Sequence, residues 1–225
     1  MYNGLSDDAR QPPVSPQHRK AIGQVLARHG LVEKIGIHLI HGYSTLPEDT
    51  VLVETNHDNH YRFVKQTNLD DVDVHNVHGH IFAPTDHGFR PYEYRTGPLP
   101  ALSGIDVDAF LDEIASFLRE NNLQSLVGFQ VLDSDCKFDM VEFVLPGATI
   151  MGRASNLKGY AKSRVTGWSF EMENGGLREC KANESHGQTG GPQGNIIYNE
   201  GAPDRKPETV EEAVGVLESL GMIMV

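Results

Sequence analysis

The chain is poor in cysteine: Cys136 and Cys180 are its only two, and they lack the short spacing of a metal-binding pair. That excludes a disulfide framework and reads as a reduced, cytoplasmic protein. Long apolar runs are missing too. None approaches the roughly 18–20 residues of a membrane-spanning helix, so no membrane role is expected. Positive charge is scarce, with 19 Lys and Arg against 31 Asp and Glu and a net charge of −12. Such a surface repels phosphate backbones and disfavours nucleic acid as a partner. The opening MYNGLSDDARQPPVSPQ has no apolar stretch and is not read as a secretory signal. No G-x-G-x-x-G, Walker sequence, G-x-S-x-G or H-E-x-x-H occurs. Nucleotide and serine-hydrolase chemistry therefore recede.

What the chain does have is histidine. Eight of its eleven histidines fall between His38 and His87, and His78-Gly79-His80 is an alternating pair. Imidazole is the commonest metal ligand and the side chain best suited to proton transfer near neutral pH.

The apolar periods set the frame for that cluster. Ser15-Pro16 starts a helix, with Ile22, Val25 and Leu26 as its stripe and Gly30 as its stop. Asp106 caps a second helix carrying Val107, Phe110, Leu111, Ile114, Phe117 and Leu118 on one face. Thr209 and Glu212 form the capping box of a third. Helices are thus predicted near 16–29, 107–121 and 209–220.

Between them the period shortens to that of strands. Hairpins are expected around Asn56–Asn59, around Thr85–Gly88 and around Asp133–Asp135. In the last of these, Val131 should face Phe138 and Phe129 should face Met140. Shorter strands are expected at Thr149–Met151, Val165–Glu171, Leu177–Lys181 and Ile196–Tyr198. Residues 1–14, polar and Pro-containing, are expected to be disordered, and most of 184–205, rich in Gly, Asn and Pro, to lack regular structure. Residues 15–225 then form a single α+β domain: a large curved antiparallel sheet, approaching a half-barrel, with about three helices.

The site follows from one register. With Thr85–Gly88 as a four-residue turn, His80 lies opposite Glu93 and His78 opposite Arg95, all on one face. Two imidazoles and a carboxylate form an ordinary first shell for zinc or non-haem iron. His78 and His80 are the candidate ligands, and His38 or His41 supplies a third. Alternation puts His38 and His41 on opposite faces unless the chain bends at Gly42. Glu93 is a ligand or base, and the planar fork of Arg95 suits an anionic substrate group. Single histidines elsewhere, such as His57, His60, His75 and His87, are read as turn and surface residues.

These residues point to a metal-dependent enzyme acting on a small organic molecule in a sheet-walled pocket. A cofactor-free isomerase, cyclase or lyase would use the same residues as acid and base. A non-catalytic small-molecule-binding protein would disperse its histidines over the surface. A Cys180 nucleophile with a distant histidine is a further reading, set against a buried inert thiol. Trp168, Phe170, Tyr92 and Tyr94 either line a pocket or pack the core.

Overall fold

The computed structural model describes residues 2–57, 60–100, 105–132, 138–179, 183–189 and 206–224. Among these, helices α1 (Pro16–Arg28), α2 (Val107–Glu120) and α3 (Val210–Ser219) match the three apolar stripes. Each starts at the expected cap: Ser15 accepts from the His18 amide, Asp106 from Ala109 and Thr209 from Glu212. At the third helix Glu212 reaches back one residue past the cap, accepting from the Glu208 amide and not from that of Thr209, so only half of the expected capping box forms.

The strands are β1 (Ile35–Leu39), β2 (Thr50–His57), β3 (Tyr61–Asn68), β4 (Val77–Thr85), β5 (Gly88–Thr96), β6 (Val127–Val131), β7 (Met140–Leu145), β8 (Ala148–Arg153), β9 (Tyr160–Trp168), β10 (Phe170–Glu173), β11 (Gly176–Glu179) and β12 (Glu184–Thr189). Ten of them close into a barrel in the order β1-β6-β4-β5-β2-β3-β8-β7-β12-β9; β10 and β11 form a separate ribbon. The fold is thus α+β with a curved sheet, but the sheet closes fully where a half-barrel was expected. Closure removes the exposed edges that an open sheet would carry. The barrel is mostly antiparallel, with β2–β5 and β7–β12 as its parallel junctions.

Two expectations need correction. The strands β6 and β7 do not form a hairpin: β6 lies between β1 and β4, while β7 lies between β8 and β12. Matching apolar residues suggested that pairing, but both strands are apolar because helices cover their outer faces. The 184–205 segment, read as irregular, begins with the barrel strand β12. Its remainder, the proposed strand at 196–198, the turn at 133–135, and Cys136 and Cys180 lie outside the described residues. At the other end, residues 2–14 contain single 3-10 turns at Tyr2–Gly4 and Asp8–Arg10, and bury Tyr2, Asp8 and Val14. Residues 1–14 were expected to be disordered.

Strand alternation divides the side chains into an outer apolar set and an inner polar one. Ile35, Ile37, Leu39, Val127, Phe129 and Val131 pack outward against α1 and α2, with Trp168 and Phe170 in the same cluster. Phe63, Val141, Phe143, Leu145 and Ile150 pack against Ala213, Val216 and Leu217 of α3. The alternate positions carry His38, Glu54, Arg62, Gln130, Glu142, Thr149, Glu184 and His186, all buried. A third apolar cluster, including Tyr2, Ile40, Leu52, Val64, Ile81 and Tyr92, shares the interior with them.

Candidate functional site

A polar barrel interior has a physical cost: each ion removed from water loses several kcal/mol of solvation. The interior groups here offset it by pairing densely, and they fall into two neighbouring clusters.

The first contains His41, Glu142 and His186, each offering a ligand atom within 4.8 Å of the others. Strand β1 ends at Leu39, and the chain bends so that the His41 ring comes 5.5 Å from that of His38. The bend anticipated at Gly42 thus begins earlier and brings both imidazoles together. His41 Nδ1 donates to the Leu39 carbonyl at 2.8 Å, so its lone pair lies on Nε2. His186, on β12, stands 4.7 Å from His41 by ring centroids. Its Nδ1 lies 3.0 Å from Asp8 Oδ2 and its Nε2 2.9 Å from Glu142 Oε2. The Tyr43 hydroxyl donates to Glu142 Oε1 at 3.4 Å.

The protonation pattern follows from these contacts. Burial opposes charge on His186, but hydrogen bonds and charges from Asp8 and Glu142 outweigh it and raise its pKa to about 10. Burial also disfavours the Asp8 carboxylate, yet the His186 contact takes it down to about 2. Glu142 is likewise lowered, its burial overcome by His186 and His41. Burial, reinforced by the charges of His186 and His38, lowers His41 to about 3. Without a metal this cluster therefore holds one imidazolium, one neutral imidazole and two carboxylates.

The second cluster contains Glu54, His80 and Glu93, again within 4.8 Å. The register expected for β4 and β5 holds at the turn, where Thr85 pairs with Gly88, and at the far end, where His78 pairs with Arg95. In the middle it is interrupted, and Glu93 lies opposite Ile81. Bulges at His80 and Tyr92 take up the extra residues. A bulge puts two successive side chains on one face. His80 with Ile81, and Tyr92 with Glu93, are accordingly buried in the interior. His80 thus meets Glu93 through the bulges, and not through the direct pairing expected.

Arg95 Nε lies 2.6 Å from Glu54 Oε1, and Arg95 Nη2 donates to His80 Nε2 at 2.7 Å. Arginine cannot accept, so His80 carries its proton on Nδ1. Burial, and then the charges of Arg95 and Arg62, hold His80 well below its ordinary pKa. Glu93 is pushed well above the carboxylate range by burial and by Glu54, Glu142 and Glu184, against Arg95. Burial and these carboxylates favour its neutral, protonated form.

Glu184 links the clusters. It contacts Arg62 Nη1 at 3.1 Å and His38 Nε2 at 3.4 Å, and accepts from Gln130 at 2.5 Å. Burial opposes its charge, but these partners lower its pKa to about 2. His38 also hydrogen-bonds the Tyr92 hydroxyl through Nδ1 at 3.3 Å.

A cavity of about 10 Å³ opens beside the first cluster, lined among others by Tyr2, His41, Tyr43, Tyr92, Glu93 and Glu142. That is room for one water molecule or one ion.

Of the residues singled out by sequence, His38, His41, His80, Glu93 and Arg95 meet inside the barrel. His78 does not join either cluster: it is half-buried, and its Nδ1 donates to the Gly97 carbonyl at 2.9 Å. Tyr92 faces the cavity, whereas Trp168 and Phe170 pack under the helices. Sequence reasoning missed Asp8, Glu54, Arg62, Glu142, Glu184 and His186. The available signal was polar residues at alternate positions of otherwise apolar strands, as in Val53-Glu54 and Val141-Glu142-Phe143. No family model, curated protein or solved structure matches the chain.

Proposed function

We propose that the protein is a metal-dependent enzyme acting on a small organic molecule, with a divalent ion, zinc or iron, held by His41, Glu142 and His186. The observation that carries this reading is the second shell. Metal-ligating histidines characteristically donate their other N–H to a carboxylate or a backbone carbonyl, which fixes the tautomer. His41 does so to the Leu39 carbonyl, and the Nδ1 of His186 faces the Asp8 carboxylate at 3.0 Å. The Nε2 of His41 thereby carries a lone pair beside the Glu142 carboxylate, and the Nε2 of His186, 2.9 Å from Glu142 Oε2, exchanges its proton for the ion. Two imidazoles and one carboxylate are a usual set for zinc or non-haem iron with open positions.

Charge supports the same reading. The ion-paired carboxylates Asp8, Glu54, Glu142 and Glu184 face two buried arginines, Arg62 and Arg95. A divalent ion replacing the proton on His186 Nε2 brings the two signs level. When bound, such an ion supplies a Lewis acid for a carbonyl or an activated water. Glu93, a neutral acid on the cavity wall, then serves as proton donor, with Tyr43 and Tyr92 hydroxyls as hydrogen-bonding groups.

The test is elemental analysis of untagged protein beside His186→Ala. The expected result is close to one zinc or iron per chain, lost in the variant while the fold persists by circular dichroism. Metal-free wild type after supplementation with zinc or iron, or unchanged metal in the variant, would overturn the reading.

One observation favours a second reading. Neutral His80, Arg95 and the acid Glu93 form an acid–base constellation that needs no ion, as in a cofactor-free isomerase or lyase. Turnover that survives complete chelation would select it.

A further inference from the structure

Segment 2–11 docks on residues 40–46, which follow β1. The Asn3 side chain donates to the Leu46 carbonyl and accepts from its amide, at 2.9 and 2.8 Å. Ser6 accepts from the Gly42 amide, and Gln11 donates to the Ile40 carbonyl at 2.6 Å. From β9, Arg164 reaches back to the carbonyls of Asp8, Gln11 and Pro12 at 2.6–2.8 Å. These bonds act together with the buried Tyr2 ring, which packs in the third apolar cluster, to hold the stretch in place.

The docked segment delivers one charged side chain to the interior. Asp8 is buried, and its Oδ2 meets His186 Nδ1 on the side of the ring away from Glu142. An imidazole held only by β12 can rotate about its side-chain bonds or change tautomer. With the carboxylate on Nδ1, the proton stays there and Nε2 stays aimed at Glu142.

We propose that Asp8 is the positioning residue of the metal centre, so that the centre is complete only when the N-terminal segment is docked. This inference rests on the reading of His41, Glu142 and His186 as ligands. Asp8 itself does not touch the ion; it acts through His186. Ion binding and segment docking are therefore linked, each favouring the other by the same factor.

The experiment is a titration of the metal-free full chain with Co²⁺ against a chelating dye, for the wild type, Asp8→Ala and Asp8→Asn. Loss of a carboxylate behind a ligating histidine typically weakens the metal 10- to 100-fold, and that is expected for Asp8→Ala. Asp8→Asn keeps the size and one acceptor oxygen, so it should fold and lie between the two, several-fold weaker than wild type. A structural role alone would not move the second readout, the ¹⁵N shifts of the His186 ring in the Zn²⁺-loaded proteins, where the ion takes the place of the Nε2 proton. These should report the Nδ1–H form weakened or mixed once the carboxylate is gone. If Asp8→Asn binds Co²⁺ like wild type and its His186 shifts are unchanged, the inference is overturned and the ligand reading stands. If wild type binds no Co²⁺, the ligand reading falls and takes this inference with it.

Discussion

Glu54 and Glu93 share the barrel interior, yet the same side chain meets different neighbours in the two places. Glu54 faces the Arg95 guanidinium at 2.6 Å and Arg62 at 4.0 Å, whereas Glu93 has neighbouring carboxylates as its main charges. Replacing one member of a buried ion pair typically costs about 3–5 kcal/mol, so Glu54→Gln should be strongly destabilised in urea unfolding. Glu93→Gln replaces one neutral polar group with another of the same shape and should cost less than about 1 kcal/mol near pH 5. Its pH dependence carries a sign. The folded chain keeps the Glu93 proton, while the unfolded chain releases it above about pH 4.5. Folding then takes up a proton, and the wild type loses stability as pH rises from that value toward the raised pKa. Gln has no such dependence. Relative to wild type, Glu93→Gln should gain up to about 1.4 kcal/mol per pH unit across that window. A constant difference between pH 5 and 8 would show that Glu93 is ionised.

At the scale of elements, helices were legible because their stripes and caps are local. Strand partners were not, because apolar outer faces make many pairings equivalent. The pairing of β6 with β1 and β4 depends on barrel closure, which no window of sequence reports. The His80 and Tyr92 bulges shift parity within one hairpin, and Gly79 and Pro91 beside them are the nearest hint. Strand β12 was misread for a physical reason. Gly187 made it look like loop, yet a Cβ there would lie 2.4 Å from Phe143 and 2.6 Å from Val141. The glycine is present so that β12 can lie close against those side chains, next to His186. Overpacking of this kind usually costs about 1–3 kcal/mol. Gly187→Ala should therefore lower the urea midpoint and weaken metal binding together, since His186 must shift with its strand. An Ala variant as stable as wild type would show that β12 does not lie this close to Phe143.

For the whole molecule, the closed barrel poses a problem of access. A cavity of about 10 Å³ admits water or an ion but no organic molecule, so the proposed function requires part of the wall to open. The ten strands close into one ladder, paired at only two positions each at the β1–β9 and β4–β6 junctions and more extensively elsewhere. Segment 2–11 lies outside that ladder and is tied largely through the side chains of Asn3, Gln11 and Arg164. Regions held in this way are the first to open locally. Arg164 offers a clean lever, since it binds three carbonyls of the segment without being a ligand. In Arg164→Ala the segment should undock more often, while His41, Glu142 and His186 keep their identity. With metal loaded and excess chelator added, release should be about tenfold faster than in wild type. That factor corresponds to about 1.4 kcal/mol, within the range for lost hydrogen bonds to a charged group. Limited proteolysis should cut within residues 2–14 sooner in the variant, and bound metal should slow that cut. Equal release rates in the two proteins would mean that the ion leaves by another opening and that the N-terminal segment does not control the site.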